Sequence, residues 1–159
     1  MTEARDLAMA VFAANGRLVS AGNELVEPLG LTSAWWQVLA AVRYAPAPIS
    51  VASIARNMGL TRQAVQRIAD LLAAQGLVAF ADNPTHRRAK LVVLTASGLA
   101  AVEGAEKAVA PIDQAIAERI GTEQIRQAVA TLRATVTVIS EQLDRSAASP
   151  SHPGKDPAR

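Results

Sequence analysis

Two stretches, one near each end of the chain, repeat their apolar residues at alternating intervals of four and three. Leu7, Val11, Ala14, Leu18, Ala21 and Leu25 form the first, and Ile125, Val129, Leu132, Val136, Ile139 and Leu143 the second. A period of 3.5 residues keeps those side chains on one face of an α-helix and suits helix-on-helix packing. Strands, whose side chains alternate with a period of two, do not fit either stretch.

Composition says what lies between. Leu, Ile, Val and Phe make up about a quarter of the 159 residues, Ala about a fifth, and aromatics 3%. That apolar share exceeds the roughly 20% below which a chain stays disordered. Ala is the strongest helix former, so a mainly helical protein follows. Cysteine is absent, which excludes disulfides, thiolate nucleophiles and thiolate metal sites. His86 and His152 lie far apart in sequence, and neither has metal-ligand spacing, so no metal or cofactor is expected. No nucleophile has a base beside it, and there is neither a phosphate loop nor a pair of carboxylates in an apolar stretch. An enzyme is not expected. The longest charge-free stretch, Pro28 to Val42, has 15 residues, fewer than the roughly 20 of a membrane helix. No basic-then-apolar signal opens the chain. A soluble, cytoplasmic protein without a membrane partner is the expectation.

The net charge of +2 hides a segregation. Residues 31–95 carry seven basic and two acidic side chains, against two and four in 1–30 and five and seven in 96–145. A basic middle between acidic flanks suits a module that faces a polyanion.

The periodicities predict a helix over 3–27 that Pro28 and Gly30 stop. Thr32 or Ser33 caps a second helix carrying Trp36, Leu39 and Val42, which Pro46 and Pro48 end. A short helix runs from a Ser50 cap to Asn57, and after Gly59 a further helix starts at Thr61. On that helix Val65, Ile68, Ala69 and Leu72 share one side, while Arg62, Gln63, Gln66, Arg67 and Asp70 share the other. Gly76 closes it. Leu77–Phe80 and Lys90–Leu94 read as two strands of a hairpin around a polar turn from Asp82 to Arg88. Thr95 caps a long helix that Pro111 is expected to kink or divide, and Gly121-Thr122 precedes the last helix. Residues 146–159 have almost nothing apolar to bury and are expected to be disordered.

Helix, tight turn around Gly59, polar-faced helix and basic hairpin is the order of a winged helix-turn-helix. The expected fold is mainly α with a small β-hairpin wing. A DNA-binding lobe spans 31–95, and N- and C-terminal dimerisation helices in 1–30 and 96–145 flank it. Arg and Gln side chains offer paired hydrogen-bonding groups to base edges in the major groove. A helix N-terminus beside Thr61 suits a phosphate, and arginines at a narrow hairpin suit the negative potential of a minor groove. The residues so assigned to DNA are Ser50, Thr61, Arg62, Gln63, Gln66, Arg67, His86, Arg87, Arg88 and Lys90. A homodimer is expected because the flanking helices carry more apolar surface than the lobe between them can cover. The alternative is a winged-helix protein-interaction module without DNA binding, against which the basic wing counts.

From Leu31 to Gly98 the chain resembles the MarR (multiple-antibiotic-resistance regulator) family. The resemblance rests on Leu31-Thr32, Trp36-x-x-Leu39, Ile54-Ala55, Met58-Gly59-Leu60-Thr61 and Leu71 through Val78. Asn83-Pro84-Thr85-His86-Arg87-Arg88-Ala89-Lys90 and Leu94-Thr95-Ala96-Ser97-Gly98 complete it. It implies a dimeric, sequence-specific regulator of transcription, a repressor relieved by a small organic ligand. It also implies an aromatic or phenolic effector between the DNA-binding lobe and the dimerisation helices. Trp35 and Trp36, with the polar Asn15, Arg17 and Arg43, are the candidate ligand residues. The wing of such proteins usually carries Asp-x-Arg, and here His86 replaces the acid. The glutamate common after the Leu-Thr pair is Ala96.

Overall fold

A computed structural model describes residues 2–148. Helix α1, Glu3–Val26, starts where the Thr2 hydroxyl accepts the Arg5 N–H, and one turn of 3₁₀ helix, Glu27–Leu29, follows it. Helix α2 is Ser33–Arg43. Of its two cap candidates, Thr32 does the capping, accepting from the Trp35 N–H at 3.1 Å. Ser33 is buried and anchors α2 to α1 instead, its N–H donating to Asn23 Oδ1 at 2.7 Å. Then come strand β1 (Ile49–Ser50), α3 (Val51–Met58), α4 (Arg62–Ala74), β2 (Val78–Ala81), β3 (Leu91–Leu94), α5 (Ala96–Ile120) and α6 (Thr122–Ala148).

The expected hairpin is present, and it holds a third strand. The order is β1-β3-β2, antiparallel throughout, with Ile49 opposite Val92 and Val78 opposite Leu94. A two-residue strand is too short to show a period, so nothing in the residues announces β1. Of the two outcomes expected at Pro111, a kink or a division, the helix is not divided: α5 continues through it. Proline leaves the Lys107 carbonyl without its usual donor, a local loss that a 25-residue helix absorbs. The expected tail over 146–159 begins inside α6, which reaches Ala148, and the remainder lies outside the described residues.

The described chain forms two compact units that divide between Pro111 and Ile112. In the first, α2, α3, α4 and the sheet enclose a core of Val38, Leu39, Ile54, Val65, Leu72 and Val92, each essentially inaccessible. From α1 only the last turns enter it, through Val26, and from α5 Val102 and Ala105. Among the described residues no helix is long and apolar enough to cross a membrane.

One junction sets where the hairpin stands against α4. The Thr95 N–H donates to the Leu77 carbonyl at 3.1 Å, its hydroxyl donates to the Gly76 carbonyl at 2.6 Å, and the same oxygen accepts the Gly98 N–H at 3.0 Å. The end of α4, the start of β2 and the start of α5 therefore share a single side chain. Gly98 lets them meet, because a Cβ there would fall 1.8 Å from the Leu77 carbonyl oxygen. Gly98→Ala should accordingly destabilise the fold by more than about 3 kcal/mol, since a rigid backbone atom has to move. Gly16→Ala is the control. Its Cβ meets nothing within 4 Å, and in mid-helix it should stabilise by about 0.5–1 kcal/mol. Urea unfolding of both variants measures the contrast.

Candidate nucleic-acid interface

The interface is built from two capped helices and a turn. Ser50 Oγ accepts the Ser53 N–H at 3.3 Å and so starts α3. Gly59, with φ of 64°, ends it in the left-handed region, where glycine pays no Cβ penalty, and the Leu60 N–H returns to the Ala55 carbonyl at 2.9 Å. Two residues later the Thr61 hydroxyl accepts the Ala64 N–H at 3.2 Å and α4 begins. Capping uses only the oxygen lone pairs of Ser50 and Thr61. The Thr61 hydroxyl keeps a proton to donate outward, while Ser50 Oγ also lies 3.2 Å from Ser53 Oγ, a contact in which either hydroxyl can donate.

Along α4 the two faces separate as the periodicity requires. Val65, Ala69 and Leu72 are buried and Ile68 is half-buried, whereas Arg62, Gln63, Arg67 and Asp70 are exposed. Gln66 is half-buried, and its Nε2 donates to Asp70 Oδ1 at 2.8 Å.

The wing turn is organised by Asn83. Its Oδ1 accepts the Thr85 N–H at 3.0 Å, the Thr85 hydroxyl at 2.7 Å and the His86 N–H at 3.2 Å. The Ala89 N–H then bonds the His86 carbonyl at 2.9 Å. Sequence reasoning did not single out Asn83, although Asn-Pro is a recognised turn opener. His86, Arg87, Arg88 and Lys90 are all exposed.

A groove of about 300 Å³ joins these parts, lined by Ser50, Arg62, Gln66, Phe80, Arg88 and Lys90 among others. Five of the ten residues assigned to DNA thus face one space, two from α4, two from the wing and the cap of α3. The remaining five do not line it. Thr61, Gln63 and Arg67 lie exposed on or beside α4. Arg87 lines a separate hollow with Asp82, Asn83 and Pro84, and His86 another with Pro48, Ser50 and Ser53.

The candidate ligand residues are dispersed. Asn15 and Arg17 are exposed on α1, while Trp35 and Trp36 are half-buried against the core. The Trp36 Nε1 is buried without an acceptor among the described residues. Arg43 is engaged with α5, 3.1 Å from Glu103 and 3.9 Å from Glu106. Burial alone would lower its pKa, but the Glu103 hydrogen bond and the two carboxylate charges raise it on balance. Tyr44 donates to Glu106 at 2.5 Å, and that bond, with burial, raises its phenol above the ordinary tyrosine value.

The Asn83 turn generates a prediction that needs no ligand. Asn83→Ala should speed amide exchange at Thr85 and His86 with little change in global stability, because the bonds it removes are confined to an exposed turn. Asn83→Asp, which keeps an acceptor oxygen, should exchange as the parent does. Hydrogen–deuterium exchange of the three proteins distinguishes them.

Comparison with known proteins agrees with this geometry. The MarR family model matches residues 29–89. An uncharacterized protein of Mycobacterium tuberculosis is 29% identical over 132 residues, 83% of this chain and 91% of its own length. The multiple antibiotic resistance protein MarR of Escherichia coli is 35% identical over 81 residues, 51% of this chain and 56% of that one. A crystal structure of mutant E. coli MarR complexed with operator DNA superposes with a TM-score of 0.69 at 25% identity, covering 82% of this chain and 93% of that one. CouR of Rhodococcus jostii, bound to p-coumaroyl-CoA, gives 0.65 at 26% identity over 84% and 91%. The winged lobe thus matches the MarR family model, and the likeness to the E. coli MarR structure extends over four-fifths of the chain.

Proposed function

We propose that the protein is a homodimeric, sequence-specific DNA-binding regulator of transcription, a cytoplasmic repressor released from its operator by a small aromatic or phenolic ligand. The observation that carries DNA binding is the groove in which Arg62 and Gln66 of α4 meet Arg88 and Lys90 of the wing beside the Ser50 cap. α4 offers Arg62, Gln63, Gln66 and Arg67 to base edges of the major groove. The hydroxyls of Ser50 and Thr61, with the amides of the helices that they cap, suit phosphates. The wing carries three cations and His86 to the backbone or to the adjoining minor groove. The likeness to E. coli MarR, which was crystallised with operator DNA, supports DNA binding.

Two chains are needed because one leaves apolar rows uncovered. On α1, Phe12 and Leu18 are 68% and 62% exposed, and on α6 Val136 and Leu143 are 63% and 64% exposed. A second copy covers both rows and brings a second reading lobe, so the operator is a pseudo-palindrome with half-sites about one helical turn apart. For the ligand, the support is the CouR complex with p-coumaroyl-CoA and the buried indole N–H of Trp36, which has no acceptor among the described residues. An oxygen acceptor there would satisfy a group that is otherwise costly to bury. Asn15, Arg17, Trp35 and Arg43 complete the proposed set of ligand residues.

Fluorescence anisotropy with duplex from upstream of the protein's own gene, at several salt concentrations, tests the reading. Arg62→Ala should cost about 1–3 kcal/mol of specific affinity if the guanidinium reads a base. Arg88→Ala should weaken all duplexes alike and shrink the salt slope by about one unit. Arg87→Ala should matter most at A·T-rich flanks, where the minor groove narrows. Ile139→Asp should shift the protein toward monomer in sedimentation and weaken operator binding with it. Salt-insensitive or absent DNA binding would instead favour a protein-interaction module.

A further inference from the structure

The outer side of α4 holds one acid among its cations. Asp70 is exposed there, and on a surface that approaches phosphates a carboxylate opposes binding. Its partner is Gln66, one helical turn earlier, whose Nε2 lies 2.8 Å from Asp70 Oδ1. Arg67, three residues away, forms no ion pair with it among the described residues. We propose that Asp70 is a positioning residue that makes Gln66 prefer adenine, by holding the carboxamide of Gln66 in one orientation. This rests on the reading of α4 as the DNA-reading helix and adds the base that one of its side chains selects.

The chemistry follows from donor and acceptor counts. A carboxylate only accepts, so the amide has to turn its NH₂ toward Asp70, and the flipped form would set Oε1 against another oxygen. With one N–H engaged, Gln66 is left with a single N–H and Oε1 side by side. Adenine offers the complementary pair in the major groove, the N7 acceptor and the N6 amino donor. Guanine offers two acceptors, N7 and O6, and Oε1 would then face an acceptor. A glutamine free of Asp70 can turn both N–H groups toward guanine, so the discrimination weakens. In water such an i,i+4 pair contributes little. Gln66, however, is half-buried in the groove with Arg62 and Arg88, and exclusion of water by DNA strengthens the contact.

Two substitutions separate this role from simple charge. Asp70→Ala removes charge and acceptor, whereas Asp70→Asn removes the charge and keeps an oxygen for Gln66 Nε2. The full-length protein, its two Asp70 variants and Gln66→Ala would each be used to select duplexes from a randomised library, with sequencing of the bound fraction. The wild type should select adenine at one position in each half-site, and Gln66→Ala should abolish that preference. Asp70→Ala should lower the adenine-over-guanine ratio there by about fivefold or more. Asp70→Asn should keep the ratio, and both Asp70 variants should bind non-specific duplex more tightly by a similar factor. An unchanged ratio in Asp70→Ala, an equal loss in Asp70→Asn, or a Gln66-dependent position that selects another base overturns the proposal. If Gln66→Ala leaves every position unchanged, Gln66 reads no base and this inference fails, whereas the assignment of α4 to base reading fails only if Arg62→Ala leaves specific affinity unchanged as well. If Gln66→Ala changes the selection and Asp70→Ala does not, only the role of Asp70 falls.

Discussion

The structure turns on the bonds that converge at Thr95. Its backbone N–H and its hydroxyl bind the carbonyls that close α4 and open β2, and its oxygen starts α5. The wing is a hairpin of two four-residue strands and one two-residue strand, which has little stability of its own. It stands against α4 because this junction, with the glycine that permits it, leaves the strands no other place to begin. The groove that gathers Arg62, Gln66, Arg88 and Lys90 is a consequence of that fixed angle.

The groove is lined by cations, and hydrogen-bond geometry gives it detail. The lobe over 31–95 has only Asp70 and Asp82 as acids. Neither is placed where it neutralises the groove cations: Asp70 bonds Gln66, and Asp82 lines the hollow with Arg87. The wing turn carries no carboxylate at His86, and Asn83 shapes it by accepting three hydrogen bonds with one oxygen.

Much of this was legible because helices announce themselves locally. Caps at Thr32, Ser50, Thr61 and Thr95 depend on one side chain and the amide of a residue three positions on, a relation contained within four residues. The opposing faces of α4 come from a 3.6-residue period that any helical conformation of that segment has to display. Strand β1 was not legible, since two residues carry no period and Ile49 and Ser50 pair only because Val92 and Leu91 are there to receive them. Pro111 does not divide α5, because its cost is local while the helix around it is long. Ser33 was taken as an alternative cap, and its actual partner, Asn23, lies ten residues away.

By itself the sequence determined the order of elements, their faces and the basic character of the central lobe, because those follow from short-range sterics, side-chain period and charge count. It also contained the resemblance of the winged lobe to the MarR family model. Only the tertiary structure decided which cations share a space, that Arg88 and not Arg87 joins α4 in the groove, that Arg43 is engaged by Glu103 and Glu106, and that Asp70 orients Gln66. Each of these depends on the angle at which separate elements meet or on the rotamer chosen among several. Such choices are settled by contacts between residues distant in the chain, or by which of several neighbours receives a proton, and no local pattern records them.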